Sequence, residues 1–193
     1  MIALRGIRHR FGAEVVLDDL DLDLDEGRVT ALTGPNGSGK TTLSRFLLGL
    51  SVPDAGEVRG VADLRRAAVF QENRLCEQLS AVANVRLVLP RATLSSVVAA
   101  ELRRTGLDDS DLTKPVRDLS GGQRRRVAIV RAVMAGADLL VLDEPFTGLD
   151  VLGKVQVMTW VRDHCAGQTT LLITHDLAEA RWFGARVVTL AQR

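Results

Sequence analysis

"VTALTGPNGSGKTTLSRFLLGL", Val29 to Leu50, divides into an apolar run, a glycine-rich turn and a stretch with helical periodicity. Val29 to Thr33 reads as a strand and "TTLSRFLLGL" as a helix, so the glycines stand where a strand gives way to a helix N-terminus. There Gly34, Gly37 and Gly39 let the backbone close around phosphate oxygens, whose charge is met by successive amides and the helix dipole. This is the setting of a P-loop. The expected phosphate-binding residues are Gly34, Pro35, Asn36, Gly37, Ser38, Gly39, Lys40, Thr41 and Thr42. Lys40 is placed to reach β- and γ-phosphates, and the Thr41 hydroxyl to ligate Mg²⁺.

Outward from this turn, short apolar strands alternate with amphipathic helices. Strands are expected at Val29 to Thr33, Ala67 to Phe70, Asp138 to Asp143, Thr169 to Thr174 and Arg186 to Leu190. "LLVLD" and "TTLLIT" are continuous apolar runs, the pattern of strands covered on both faces of a parallel sheet, which makes the fold class α/β. Between Glu72 and Gly136 only helical patterns occur, "LSSVVAAELRRTGL" (Leu94 to Leu107) being the most regular. The expected organisation is one domain over 1–193: a nucleotide-binding core with a β subdomain at 1–71 and 137–193, and a helical subdomain inserted at 72–136. In "VVLDDLDLDLDEG", Leu20, Leu22 and Leu24 alternate with Asp19, Asp21, Asp23 and Asp25, as in a half-buried antiparallel strand. The aspartate spacing imitates a calcium loop, but Glu26 stands where that loop needs glycine and Leu32 where it needs glutamate.

Composition narrows the function. The 193 residues are 46% hydrophobic and 25% charged, enough for one real core. A net charge of +1 and 4% aromatics argue against nucleic acid as a partner. Cys76 and Cys165 lack metal-site spacing and read as reduced thiols of a cytoplasmic protein. No stretch approaches the roughly 18 uninterrupted apolar residues of a membrane span, so any membrane work falls to another chain.

"DLLVLDEP" ends a buried strand in Asp143, placed to hold Mg²⁺, followed by Glu144, placed to orient and activate an attacking water. "LLITHD" ends a second buried strand at His175, beyond the carboxyl edge of the sheet where ligands bind in open α/β folds. His9 and His164 read as structural. "LSGGQRRR", Leu119 to Arg126, suggests a capping box of Ser120 and Gln123. That box leaves Gly121 and Gly122 unexplained, since glycine in a helix costs up to about 1 kcal/mol against alanine. Two missing side chains beside exposed amides suggest a second anion site.

Together these residues make the chain resemble an ATP-binding-cassette ATPase subunit of an ABC transporter, over essentially its whole length and with the motifs in the family's order. "GPNGSGKTT" looks like Walker A, Gln71 in "VFQENRL" like the Q-loop, "LSGGQ" like the signature and "LLVLDEP" like Walker B. Asp150 in "TGLD" looks like the D-loop, His175 like the switch histidine, and Phe11 like the aromatic that stacks on adenine. The resemblance implies a RecA-like P-loop NTPase core with an N-terminal antiparallel β subdomain and an inserted helical subdomain. It implies ATP and Mg²⁺ as cofactors and a catalytic set of Glu144, His175, Lys40 and Gln71, with Thr41, Gln71 and Asp143 at the metal. It also implies a head-to-tail homodimer, in which Ser120, Gly121 and Gly122 act on the nucleotide held by the other copy, and it places Gln123 and Asp150 among the nucleotide-binding residues. The implied setting is the cytoplasmic face of a membrane, with a transmembrane permease and a substrate-binding protein as partners. "VFQENRL" most resembles cassettes of nitrate, sulfonate and taurine importers. The alternative is a soluble cassette of the DNA-repair or translation-factor type, but Lys40 to Ser120 contains no heptad run and the chain no second P-loop. The short Lys40 to Gln71 segment suggests a trimmed antiparallel subdomain, and the end at Arg193, directly after the last strand, suggests no C-terminal regulatory domain.

Overall fold

The apolar runs organise the first of two compact units, which comprises Met1–Ala68, Ala137–Asp143 and the chain from Ala166 onward. The computed structural model describes residues 1–191; positions 192 and 193, and with them the end of the expected domain, lie outside the described residues. Strands β1 (Ile2–Phe11) and β2 (Glu14–Leu24) are followed by β3 (Val29–Thr33), α1 (Lys40–Leu47), β4 (Ala55–Arg59) and β5 (Arg66–Val69). Later come β6 (Leu139–Asp143), β7 (Thr169–Ile173), α7 (Leu177–Trp182) and β8 (Arg186–Thr189). The five-stranded sheet has the order β5-β6-β7-β3-β8, and β3 pairs in parallel with both β7 and β8. Every residue of β6 and β7 is buried, as their unbroken apolar sequences require. Asp143 and Leu32 both pair with Ile173, so the turns after β3 and β7 and the carboxylate closing β6 share one sheet edge.

The three-stranded sheet has the order β2-β1-β4 and is antiparallel. Leu22 and Leu24 of β2 are buried opposite Leu4 and Ile2. The intervening carboxylates meet β1: Asp21 accepts from the Gly6 amide at 2.7 Å and Asp23 pairs with Arg5 at 2.5 Å. Alternation over Val15 to Gly27 therefore encodes a strand. Leu17, Leu22 and Leu24 join Leu43, Phe46 and Leu47 of α1 and Leu139, Val141, Leu171 and Ile173 of the parallel sheet in one core.

The second unit comprises Val69–Gly136 and Glu144–Cys165. It contains α2 (Ala81–Arg86), α3 (Ser95–Arg104), α4 (Asp109–Leu112), α5 (Gly121–Met134) and α6 (Val151–His164). The stretch 144–165, assigned from sequence to the nucleotide-binding core, thus clusters with the helical segment. The reason lies in its side chains: Trp160 Nε1 donates to Glu101 Oε2 at 2.7 Å and Gln156 Nε2 to the Arg104 carbonyl at 3.1 Å, fastening α6 to α3. Buried Asn84 on α2 bonds the Cys76 amide and the carbonyls of Cys76, Leu79 and Ser80, fixing the loop that enters the helices.

Candidate functional site

In the first unit the turn after β3 folds as a phosphate cradle. Gly39 caps α1 with a left-handed backbone, φ 89°. A Cβ there would come within 2.6 Å of Leu17 Cδ2, so both conformation and packing demand glycine. Gly34 has φ 145°, and a Cβ on it would meet the Leu190 carbonyl oxygen at 2.6 Å. Lys40 is only 9% exposed; its Nζ donates to the carbonyls of Gly34 at 2.8 Å and Pro35 at 2.7 Å, which holds the ammonium over the turn. Ser38 Oγ is buried without a hydrogen-bond partner among the described residues. An orphaned buried hydroxyl costs about 1–3 kcal/mol, a debt that a bound phosphate oxygen removes. The first amides of α1 likewise have no acceptor within the helix.

Thr41, next on α1, donates its hydroxyl to Asp143 Oδ2 at 3.2 Å, bringing the turn and the end of β6 together. His175 is exposed in the turn between β7 and α7. That turn is pinned by Thr174, whose hydroxyl donates to Glu179 Oε2 at 2.5 Å and accepts from the Asp176 amide at 3.0 Å. Phe11 closes β1 with its ring 54% exposed. His9 meets it edge-on at 4.9 Å and meets Phe46 likewise at 5.1 Å, so His9, read as structural, props the exposed ring.

In the second unit Ser120 caps α5 as the capping box required: its Oγ accepts from the Gln123 amide at 3.2 Å, and Gln123 Oε1 accepts from the Ser120 amide at 2.7 Å. Gln123 Nε2 also donates to Asp111 at 2.5 Å. A Cβ on Gly121 would meet nothing within 4 Å, and one on Gly122 only ordinary contacts at 3.5 and 3.7 Å. Packing within the described residues gives no reason for either glycine. Asp150 caps α6 through the Gly153 amide at 2.9 Å and faces Arg126 Nη2 at 3.2 Å. The Gly153 amide first, then the Arg126 guanidinium, holds its carboxyl below the ordinary carboxylate range.

Glu144 stands in the left-handed region at φ 46°, a conformation costing a non-glycine residue about 1–3 kcal/mol. Its Oε2 accepts from the Thr147 hydroxyl at 3.3 Å. Gln71 is exposed in the loop after β5, and its carbonyl accepts from Arg125 at 3.3 Å. No role is singled out from sequence for Arg125, the middle one of the three arginines at 124 to 126. The signal was there: Arg125 precedes Ala128 and Ile129 by three and four residues, on the helix face that is buried.

A lysine-braced glycine turn between a parallel strand and a helix, with an aspartate from the strand next but one in the same sheet beside it, defines a P-loop nucleoside triphosphatase. The ABC transporter family profile matches residues 17–147. The chain is 41% identical over 191 residues to aliphatic sulfonates import ATP-binding protein SsuB 3 of Paraburkholderia xenovorans, covering 98% of this chain and 76% of that protein. It is 42% identical over 193 residues to SsuB 1 of Nocardia farcinica, covering 98% and 77%. The dimeric structure of MJ0796, a bacterial ABC transporter cassette, superposes with a TM-score of 0.86 at 27% identity over 99% of this chain and 94% of that one. The chain belongs to the ABC transporter family and is an ATP-binding-cassette ATPase. The P-loop core, the N-terminal antiparallel sheet and the helical insert expected from sequence are all present.

Proposed function

We propose that this ATPase powers an importer, as a head-to-tail homodimer on the cytoplasmic face of a membrane, coupled to a transmembrane permease and supplied by a substrate-binding protein. Support comes from relatives named as import ATP-binding proteins and from a structural neighbour described as dimeric. No helix among the described residues is long and apolar enough to cross a membrane, so on this reading the substrate path belongs to the permease. The longest helix between α1 and Ser120 is α3, of ten residues, which leaves no room for the coiled coil of a repair-type cassette.

The single observation that carries the mechanism is the Lys40 cradle with its orphaned Ser38 hydroxyl. Gly34 to Thr42 grip the phosphates of ATP, and Lys40 offsets charge on the β- and γ-phosphates. The Thr41 hydroxyl and the Asp143 carboxylate, 3.2 Å apart, are hard oxygen donors of the kind that would hold Mg²⁺, and the family resemblance implies Gln71 as a further ligand. Mg²⁺, if held there, would supply neutralisation of the phosphate charge. Glu144 takes the proton of the attacking water, and His175 bonds the γ-phosphate. Phe11 stacks on adenine, while Ser120, Gly121, Gly122, Gln123 and Asp150 close over the nucleotide of the other copy. Glu144→Gln keeps the shape of the water-orienting group and removes its basicity, so hydrolysis is expected to fall by orders of magnitude with ATP affinity retained. Undiminished turnover in that variant would overturn the assignment.

A further inference from the structure

Arg125 is a charged residue only 4% exposed, on α5 one turn beyond the signature glycines. All three of its guanidinium nitrogens are engaged, and their acceptors lie on two separate loops. Nε donates to the Pro145 carbonyl at 2.7 Å and Nη2 to the Glu144 carbonyl at 2.6 Å. Nη1 donates to the Phe70 carbonyl at 2.5 Å, with the Gln71 carbonyl and Asn73 Oδ1 each at 3.3 Å. One planar fork therefore grips the main chain at Glu144 and at Gln71 and joins both to the helix that begins at Ser120.

We propose that Arg125 is a positioning residue for ATP hydrolysis, fixing the main chain of Glu144 and Gln71 so that their side chains point where the reaction needs them. This rests on the roles given to those two residues under "Proposed function". Glu144 is held in the left-handed region immediately before a proline, where the backbone has little intrinsic preference for the conformation observed. Arg125 occupies the carbonyl of that residue and of the next, so the two bonds hold the strained geometry in place. A buried cation has left its hydration and relaxes only by keeping every such acceptor, which makes the clamp stiff. Arg131, further along α5, adds bonds to the carbonyls of Asn73 at 3.4 Å and Arg74 at 3.0 Å, so the Gln71 loop is held twice and the Glu144 loop by Arg125. Lysine cannot replace this fork: its ammonium is one point on a flexible stem and reaches one loop at a time.

The test is single-turnover hydrolysis by the full chain with Mg-ATP, alongside ATP binding by titration, for wild type, Arg125→Lys, Glu144→Gln and the double variant. Arg125→Lys is expected to bind one ATP per chain with unchanged affinity, because its partners lie outside the P-loop. Its rate is expected to fall about 100-fold, the scale of a misplacement near 1 Å in a reacting group. In the Glu144→Gln background the same substitution should slow the residual reaction clearly less than about 100-fold, since the share of the effect carried through Glu144 is already lost and residues acting as one unit are not additive. A role confined to stability would lower the amount of folded protein, seen as fewer ATP sites, and leave the rate per bound ATP unchanged. A wild-type rate per site in Arg125→Lys, or losses that multiply in the double variant, would overturn the proposal. Wild-type hydrolysis by Glu144→Gln alone would instead remove the role of Glu144, and the clamp with it.

Discussion

Phe11→Ala separates a nucleotide-contacting ring from a merely structural one. With the ring 54% exposed, its removal gives up about half of the roughly 1.5–3 kcal/mol that full burial of a phenylalanine contributes. The edge-on contact with His9 adds about 0.5 kcal/mol or more. A stability loss of about 1.5 kcal/mol corresponds to about 3–6 °C in Tm for a chain of this size. Stacking on adenine is worth about 1–3 kcal/mol, so ATP affinity should fall about 5- to 150-fold. Isothermal titration well below the lowered Tm, with ATP and in parallel with inorganic tripolyphosphate, distinguishes the two effects. On the proposed reading the base is the only part of the nucleotide that meets the ring, so ATP binding should weaken while tripolyphosphate binding does not. Unchanged ATP affinity, or equal losses for both ligands, would refute the adenine contact.

Lys40→Ala is expected to abolish measurable ATP binding in the same titration, since it deletes the cation and both bonds that brace the turn; normal affinity would overturn the cradle. The thiols should differ in reactivity: Cys76 is exposed, whereas burial pushes the Cys165 thiol up to about 12. A disulfide reagent at pH 8 should modify one thiol in the native chain and two in denaturant. Because the unfolded Cys165 ionises from about pH 9 and the folded one only near 12, its contribution to stability is complete below pH 9. That contribution is lost as pH rises through this window, by about 1.4 kcal/mol per unit. Denaturant titrations of wild type and Cys165→Ala across that range should show the wild type losing stability faster with rising pH.

The parallel core was legible because β6 and β7 carry apolar residues at every position, and the P-loop because its glycines sit between a strand and a helix at fixed spacing. The Leu20 to Asp25 alternation likewise gave away β2. β1 was harder to see, since Gly6 and the arginines at 5, 8 and 10 interrupt its alternation and its pairing with β2 shifts register three times. β4 has only Val58 partly buried, so it carries almost no pattern of its own. The grouping of 144–165 with the helical insert depends on Trp160–Glu101 and Gln156–Arg104, contacts between side chains far apart in sequence. At the site, sequence supplied residue types but not partners: the capping box was foreseen, whereas the clamp at Arg125 was hidden inside a basic run.

Gly121 and Gly122, which nothing within the described residues requires, are proposed to keep a space clear for nucleotide bound to another copy. That space is tested by light scattering of Glu144→Gln with and without Mg-ATP, compared with Glu144→Gln plus Ser120→Arg. Bound ATP that links two copies favours the dimer by mass action, so the single variant should be dimeric with ATP and monomeric without it. The added arginine should leave the double variant monomeric in both conditions, while it still binds one ATP per chain. A double variant that dimerises with ATP as readily as the single one would contradict the claim and reduce the signature to a helix cap.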